Sequence, residues 1–397
     1  MKDDSKKESD NDQEIYIADG NGDAISGLSG NPEGVVARLF REHPELIGNG
    51  MQTGLTPIKR KAERTGGNFG MPNVYPVIEN ADEKLRGICL ASLVEKYPSD
   101  AKAEAKSRLE DELSALERQG AATEYLLVYR TLQDVDADSS EYFFRGTMSS
   151  SLISYLLGFS HFDPMNMEPQ VYYEFAYGYY GDRHPWFEML VTEKLYERLV
   201  NYFDNYPGEH PVEFRHESDG KITGAFIGEI GDRDPDGRWF YDSFHLSFVT
   251  IDNLEGLKAN MYSGAVYDAC HPQSLSEYVK CYNLTHSTGA WTDNAEKLLS
   301  EGKASFQELI ADREDVFELL LAHDIDRKTA YEIADSVRKG RISRRGWKPE
   351  HLEVIKNADL PEWFITSCEK IKYLWPRAHT IALYKWCGYG TENSVKM

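Results

Sequence analysis

Residues 361–379 read Pro361-Glu362-Trp363-Phe364-Ile365-Thr366-Ser367-Cys368-Glu369-Lys370-Ile371-Lys372-Tyr373-Leu374-Trp375-Pro376-Arg377-Ala378-His379. So many specific residue types in one order are not a product of composition alone. Working back from this block, the sequence from Ser274 onward reads as almost wholly helical with short breaks. A second basic cluster lies there, Arg338, Lys339, Arg341, Arg344, Arg345 and Lys348, with Trp347 among it. Such a run suits a phosphate backbone and equally suits the negative end of a helix dipole.

Further upstream the pattern changes. Lys221 to Val249 alternates as strands do, broken by Gly231-Asp232-Arg233-Asp234-Pro235-Asp236-Gly237, which predicts a hairpin with a long turn. The acidic spacing of that turn fits no EF-hand loop. Residues 165–206 are rich in tyrosine and read as a packed aromatic platform or a base-stacking surface. Helical periodicity is predicted for Val35 to Leu46, for Ala81 to Glu95 and most clearly for Ala101 to Gln119. In the last, Leu109, Leu113 and Leu116 form one stripe and Gly120 is placed to cap the C-terminus. A short apolar run, Tyr125 to Tyr129, follows. Residues 14–30 and Gly48 to Tyr75 read as loop, the latter with Lys59, Arg60, Lys61 and Arg64. The polar stretch Met1 to Gln13 reads as a solvated tail.

Length and composition bound the rest. A chain of 397 residues suits two domains. Its 41% hydrophobic and 12% aromatic content is globular. No apolar stretch reaches the length that spans a bilayer, so no membrane association is expected. A net charge of −22 argues against a protein that coats nucleic acid over its whole surface, though not against one basic cleft. Cys89, Cys270, Cys281, Cys368 and Cys387 form no C-x-x-C pair, which argues against a zinc knuckle and for reduced thiols in the cytoplasm.

The block at 361–379 resembles the fingers segment of the bacterial replicative DNA polymerase III alpha subunit, PolC type, where the order is P-E-W-Y, a Cys, K-I-K-Y, an aromatic, then P-K-A-H. Leu284-Thr285-His286-Ser287-Thr288-Gly289-Ala290-Trp291-Thr292-Asp293-Asn294-Ala295 resembles that family's L-S-H-G-T-D-V-W-x-G-N-A. Ala334-Asp335-Ser336-Val337-Arg338-Lys339-Gly340 matches its M-E-S-V-R-K-G, and Arg108-Leu109-Glu110-Asp111-Glu112-Leu113 resembles the entry to its palm. The resemblance implies an α+β protein. A flexible tail spans 1–30, a palm-like mixed α/β region with a reduced thumb spans 31–262, and an all-helical fingers-like region spans 263–397. The family's four-cysteine zinc element and its nuclease and phosphoesterase regions have no counterpart in this sequence.

The resemblance also implies a chemistry, DNA-directed DNA polymerisation on a primer-template with deoxynucleoside triphosphates and Mg²⁺. Arg145, Gly146, Thr147, Ser150 and Ser151 match the Gly-Ser loop that holds the triphosphate. Small residues there let backbone N–H groups approach phosphate at a helix start, and a Ser/Thr N-cap opening the helix from Leu152 is the plainer alternative. Lys370, Lys372, Arg377 and His379 fall where fingers face the nucleotide, and Arg338, Lys339, Arg341, Arg344 and Arg345 where DNA is met. Two-metal transfer needs carboxylates that fix both ions. Of the family's P-D-x-D and later L-K-x-D-x-L aspartates, Glu188 and Asp252 are the matches, as catalytic and metal residues, with ordinary surface acids as the alternative. Trp186 stands where the leading aspartate belongs. A missing carboxylate predicts weak or absent activity. The alternative function is a catalytically inactive module that binds DNA, nucleotide or a replisome protein.

Overall fold

The computed structural model describes residues 15–18, 24–28, 56–57, 78–98, 101–179, 181, 185–206, 212–216, 222–233, 239–250, 261–262 and 264–388. The predicted helix at Val35 to Leu46, the cationic cluster at 59–64 and Asp252 lie outside these residues.

The architecture is α+β. Strands β1 (Ile15–Ala18), β2 (Ala24–Leu28) and β3 (Thr56–Pro57) form a small sheet in the order β2-β1-β3. The composition of 14–30 predicts loop. Its Ile-bearing ends instead pair antiparallel, Ile17 with Ile25 and Ala18 with Ala24, and only the Gly/Asn/Asp residues between them carry a turn composition.

Three helices follow, α1 (Ala81–Lys96), α2 (Lys102–Gln119) and α3 (Ala122–Asp134). In α2 the buried face is Ala105, Leu109, Leu113 and Leu116. Gly120 ends the helix in the left-handed conformation. The apolar run Tyr125 to Tyr129 lies within α3, where Tyr125 and Val128 are fully buried.

The main sheet is built from β4 (Tyr142–Phe144), β5 (Glu188–Val191), β6 (Val212–His216), β7 (Ile222–Arg233) and β8 (Trp239–Thr250), in the order β4-β5-β8-β7-β6. The predicted hairpin is β7–β8, paired antiparallel from Ile222–Val249 to Arg233–Trp239. β5 joins its other edge in parallel, with Glu188 opposite Ser247 and Val191 opposite Thr250, and β4 pairs antiparallel with β5. Between β4 and β5 lie α4 (Leu152–Leu156) and α5 (Glu174–Tyr177). Helix α6 (Glu193–Asp204) starts where the Thr192 hydroxyl caps Leu195, and it buries Leu195, Leu199 and Phe203 at helical spacing. Phe203 stacks on Phe248 of β8 at 6.2 Å, which seats this helix on the sheet.

From residue 265 on every regular element is helical among the described residues: α7 (Ala265–Cys270), α8 (Leu275–His286), α9 (Glu296–Ser300), α10 (Arg313–Ala322), α11 (Arg327–Arg338), α12 (Arg341–Arg345), α13 (Pro349–Asn357), α14 (Trp363–Lys370) and α15 (Arg377–Trp386). Packing crosses the transition. One core cluster unites Phe143 of β4, Phe162 and Val171 with Val279 and Tyr282 of α8 and Ile381 and Tyr384 of α15. Phe175 of α5 packs between Phe317 and Tyr331 of the helical part, at 5.3 Å from each. Arg327 Nε donates to Glu174 at 2.6 Å across the same seam. Phe175, Tyr177, Phe187 and Phe203 of the 165–206 stretch are buried, and the part-buried Tyr172 packs edge-on against Phe317 at 5.0 Å.

Candidate nucleotide and nucleic-acid site

The loop after β4 carries Arg145, Gly146, Thr147, Ser150 and Ser151. The Arg145 N–H donates to the Glu188 carbonyl at 2.8 Å, extending the β4–β5 pairing by one residue. Ser150 turns inward and donates its hydroxyl to the Thr147 carbonyl at 2.7 Å. Ser151 caps α4, its Oγ accepting the Ser154 N–H at 3.1 Å. The start of α4 also holds an internal anion. The Glu112 carboxylate of α2 accepts the N–H groups of Leu152 at 2.9 Å and Ile153 at 3.1 Å and the Ser151 hydroxyl at 2.8 Å. Arg108 Nε meets the same carboxylate at 2.6 Å. Glu112, Ser150 and Ser151 are all fully buried. Direct phosphate contact by Ser150 and Ser151 is therefore not what this geometry offers, because a protein carboxylate already satisfies the donors. The accessible part of the loop is Arg145-Gly146-Thr147. Sequence reasoning missed Glu112, although an acid on the apolar face of α2, three residues after Leu109, was its signal.

Glu188 sits at the head of β5, and both of its oxygens are engaged. Oε1 pairs with the Arg145 guanidinium, and Oε2 accepts Trp186 Nε1 at 3.4 Å. Trp186 is half exposed, at 52%. The residue beside Glu188 across the parallel register is Ser247, largely buried. Asp163, a possible substitute ligand, accepts from the Tyr97 hydroxyl, the Met165 N–H at 2.9 Å and Asn166 Nδ2 at 2.7 Å. Among the described residues no group of three acidic, His or Cys side chains is placed to hold a metal ion. A two-metal centre needs several anionic oxygens at one point; of Trp186, Glu188 and Ser247 only Glu188 supplies them, and Asp252 lies outside the described residues.

The C-terminal cations form a different arrangement. Two glycine turns clasp the 370–372 backbone: a Cβ on Gly289 would lie 2.3 Å from the Lys370 carbonyl oxygen, and one on Gly340 2.1 Å from that of Lys372. Lys372 N–H donates to Thr288 at 2.8 Å, and Leu374 N–H to Arg338 at 3.1 Å. Close backbone approach thus sets Lys370 and Lys372 beside the Arg338–Arg345 turn. Arg341, Arg344, Arg345, Lys370 and Lys372 are exposed. Lys339 and Arg341 share Asp335, at 3.0 and 3.4 Å. Arg344 donates to the Lys339 carbonyl at 2.6 Å, and Lys370 Nζ to that of Asp293 at 2.6 Å.

An aromatic path leads from these cations to the Arg145 loop. The Arg338 guanidinium lies 5.6 Å over the Tyr373 ring. Tyr373 meets Trp375 edge-on at 6.2 Å, and Trp375 meets His379 at 5.2 Å and His286 at 5.6 Å. His379 Nδ1 accepts the Gly146 N–H at 3.0 Å, so the two sequence-distant motifs are in direct contact. Burial, followed by the charge of Arg145 and the neighbouring His286, pushes the His379 pKa down to about 3. The imidazole is neutral and acts as an acceptor for backbone, not as a cation for phosphate. Trp375 Nε1 and Arg338 Nε on this path are buried without a hydrogen-bond partner.

Arg377 is placed inside the fold rather than on that face. Its Nε donates to both Asp312 oxygens, at 3.2 and 3.1 Å, and its terminal nitrogens to Asp315 at 3.0 Å, Glu318 at 2.6 Å and the Gln170 carbonyl at 2.9 Å. Burial opposes its charge, yet the three carboxylates outweigh burial and hold its pKa well above the ordinary value.

Comparison with known proteins places these observations. The family described as "Bacterial DNA polymerase III alpha NTPase domain" matches residues 83–219. The chain is 39% identical over 111 residues to the PolC-type DNA polymerase III of Caldanaerobacter subterraneus subsp. tengcongensis, a match that takes in 28% of this chain and 8% of that protein. With the PolC-type DNA polymerase III of Bacillus subtilis it shares 37% identity over 111 residues, 28% of this chain and 7% of that protein. With that of Streptococcus sanguinis it shares 36% over 126 residues, 31% and 8% respectively. The matched stretch is under a tenth of each relative's length.

Proposed function

Starting from a chain that is a divergent relative of the PolC-type DNA polymerase III alpha subunit, we propose that it is a nucleic-acid-binding module of polymerase descent that does not carry out efficient nucleotidyl transfer. The observation that carries this reading is the state of Glu188. Its two oxygens are engaged by Arg145 and Trp186, and its cross-strand partner among the described residues is Ser247. Losing metal-ligand geometry of this kind costs far more than the hundredfold that a misplacement of about 1 Å already causes. DNA phosphates are held by Arg341, Arg344, Arg345, Lys370 and Lys372, which are exposed and adjacent. Tyr373 and Trp375, half-buried beside them, supply ring faces for an unstacked base. The net charge of −22 repels phosphate over most of the surface and confines DNA to this one face.

Two measurements test the reading together. Primer extension by the purified chain in Mg²⁺ or Mn²⁺ gives no product above background, whereas fluorescence anisotropy detects binding of a primer-template that weakens steeply with salt. Robust extension refutes the proposal. So does DNA affinity that survives alanine substitution of Lys370 and Lys372 together with Arg344 and Arg345.

A further inference from the structure

All five cysteines of the chain lie among the described residues, and two of them meet at the start of the helical part. Helices α7 and α8 are joined by residues 271–274, with His271 turning the chain in the left-handed conformation at φ 50°. Ala265 and Val266 at the start of α7 line one cleft with Leu284 and Thr285 near the end of α8, so the two helices run antiparallel. Cys270 stands four residues on from Val266, and Cys281 three residues back from Leu284. Both spacings keep a side chain on the same helix face. One turn along the hairpin the contact is therefore thiol to thiol, with the Cys281 S–H donating to Cys270 Sγ. Cys281 is buried in the core cluster and Cys270 packs half-buried at its margin.

The two thiols differ in the way an exchange reaction needs. The hydrogen bond from Cys281 holds the Cys270 thiol below its ordinary value, with burial opposing it. The same hydrogen bond, followed by burial, pushes Cys281 up. Solvent thus reaches the better thiolate, and the second thiol waits behind it. Cys89 and Cys368 are buried, and burial raises both thiols.

We propose that Cys270 and Cys281 are a dithiol that closes to a disulfide when the chain meets an oxidised low-molecular-weight thiol of the glutathione class, pinning α7 to α8. The Cys270 thiolate attacks one sulfur of the small disulfide, forming a mixed disulfide and releasing one small thiolate. Cys281 then gives up its proton and attacks Cys270 Sγ, which releases the second small thiolate. The protons lost by the two cysteines end on the two released thiols, and the small disulfide takes the two electrons that the cysteines lose. The pair lies outside the proposed DNA face, and its test reads neither DNA binding nor primer extension.

The test is incubation of the full chain with oxidised glutathione, followed by peptide mapping without reduction. The expected product is one internal bond, Cys270 to Cys281, with no glutathione retained on either. Cys281→Ser stops at a glutathione adduct on Cys270. Cys270→Ser leaves Cys281 unmodified, because the thiol that starts the exchange is gone. Cys387→Ser forms the bond as the wild type does. The oxidised chain unfolds at a higher urea concentration than the reduced chain, since the bond closes a loop in the unfolded ensemble. A wild-type chain that stays reduced, that keeps glutathione on Cys270, or that bonds Cys270 to a different cysteine overturns the proposal. So does an oxidised chain that unfolds at a lower urea concentration, because the helices would then have to part to make the bond. The wild-type map needs no variant to fold.

Discussion

The sheet-bearing region and the helical region use their charged residues in opposite ways. On the sheet side, charged groups are tied up within the fold: Glu112 at the start of α4, Arg108 on Glu112, Arg145 on Glu188. On the helical side a hub of Arg377 with Asp312, Asp315 and Glu318 is drawn into the fold, while Arg341, Arg344, Arg345, Lys370 and Lys372 lie exposed. The contrast teaches that a fold is kept by its buried polar networks, whereas an activity depends on groups left uncompensated until a ligand arrives. On the helical face the cations are exposed, with Arg341 on Asp335 and with Arg344 and Lys370 on backbone carbonyls.

The largest expected effect sharpens that contrast at the hub. Arg377→Ala leaves the buried Asp312 and the largely buried Asp315 uncompensated by it beside the part-exposed Glu318, and loses about 3–5 kcal/mol of stability, read from urea denaturation. A loss below about 1 kcal/mol would mean that Arg377 is a ligand-facing residue after all. Next comes the matching position on the sheet side. Glu112→Ala strips acceptors from Leu152 N–H, Ile153 N–H, Ser151 and Arg108 together, which costs about 3 kcal/mol in the same measurement.

A pH experiment probes the joint between the regions. His379 has a folded pKa of about 3 against an ordinary 6.5. Below pH 6.5 the unfolded chain binds a proton that the folded chain refuses, so stability is whole above 6.5 and falls as pH drops toward 3. The slope from this one group approaches about 1.4 kcal/mol per pH unit. His379→Gln removes that slope while the backbone of Gly146 keeps an acceptor. An unchanged acid profile in the variant would show that His379 is not sealed against the Arg145 loop.

Much of this fold is legible in the sequence, and less of the site. The stripe of Leu109, Leu113 and Leu116 with Gly120 behind it defines α2, and alternation around Gly231–Gly237 defines the β7–β8 hairpin, because both depend on local periodicity. The adjacency of Lys370 and Lys372 to the Arg338–Arg345 turn depends on Gly289 and Gly340, and no periodicity reports a backbone approach between such distant segments. Strand register hides in the same way. That Ser247 is the residue opposite Glu188 follows from the parallel pairing of β5 with β8, which no spacing within either strand reports. Ser150 and Ser151 carry a phosphate-loop composition, but the anion at that loop is Glu112, from far earlier in the chain.

The smallest effect is the one most specific to function. Removing one cation that binds a DNA phosphate lowers the dependence of affinity on salt by about one unit of the log–log slope. Lys372→Ala should do this, because Lys372 is exposed and its backbone, not its side chain, secures the Gly340 turn. Arg86→Ala is the control from the sheet side: Arg86 is a part-exposed cation already paired with Glu110 at 2.5 Å. It should leave the slope where it was. An equal fall in the two variants would mean that DNA is attracted by the molecule's cations at large, and the division of roles between the two regions would no longer hold.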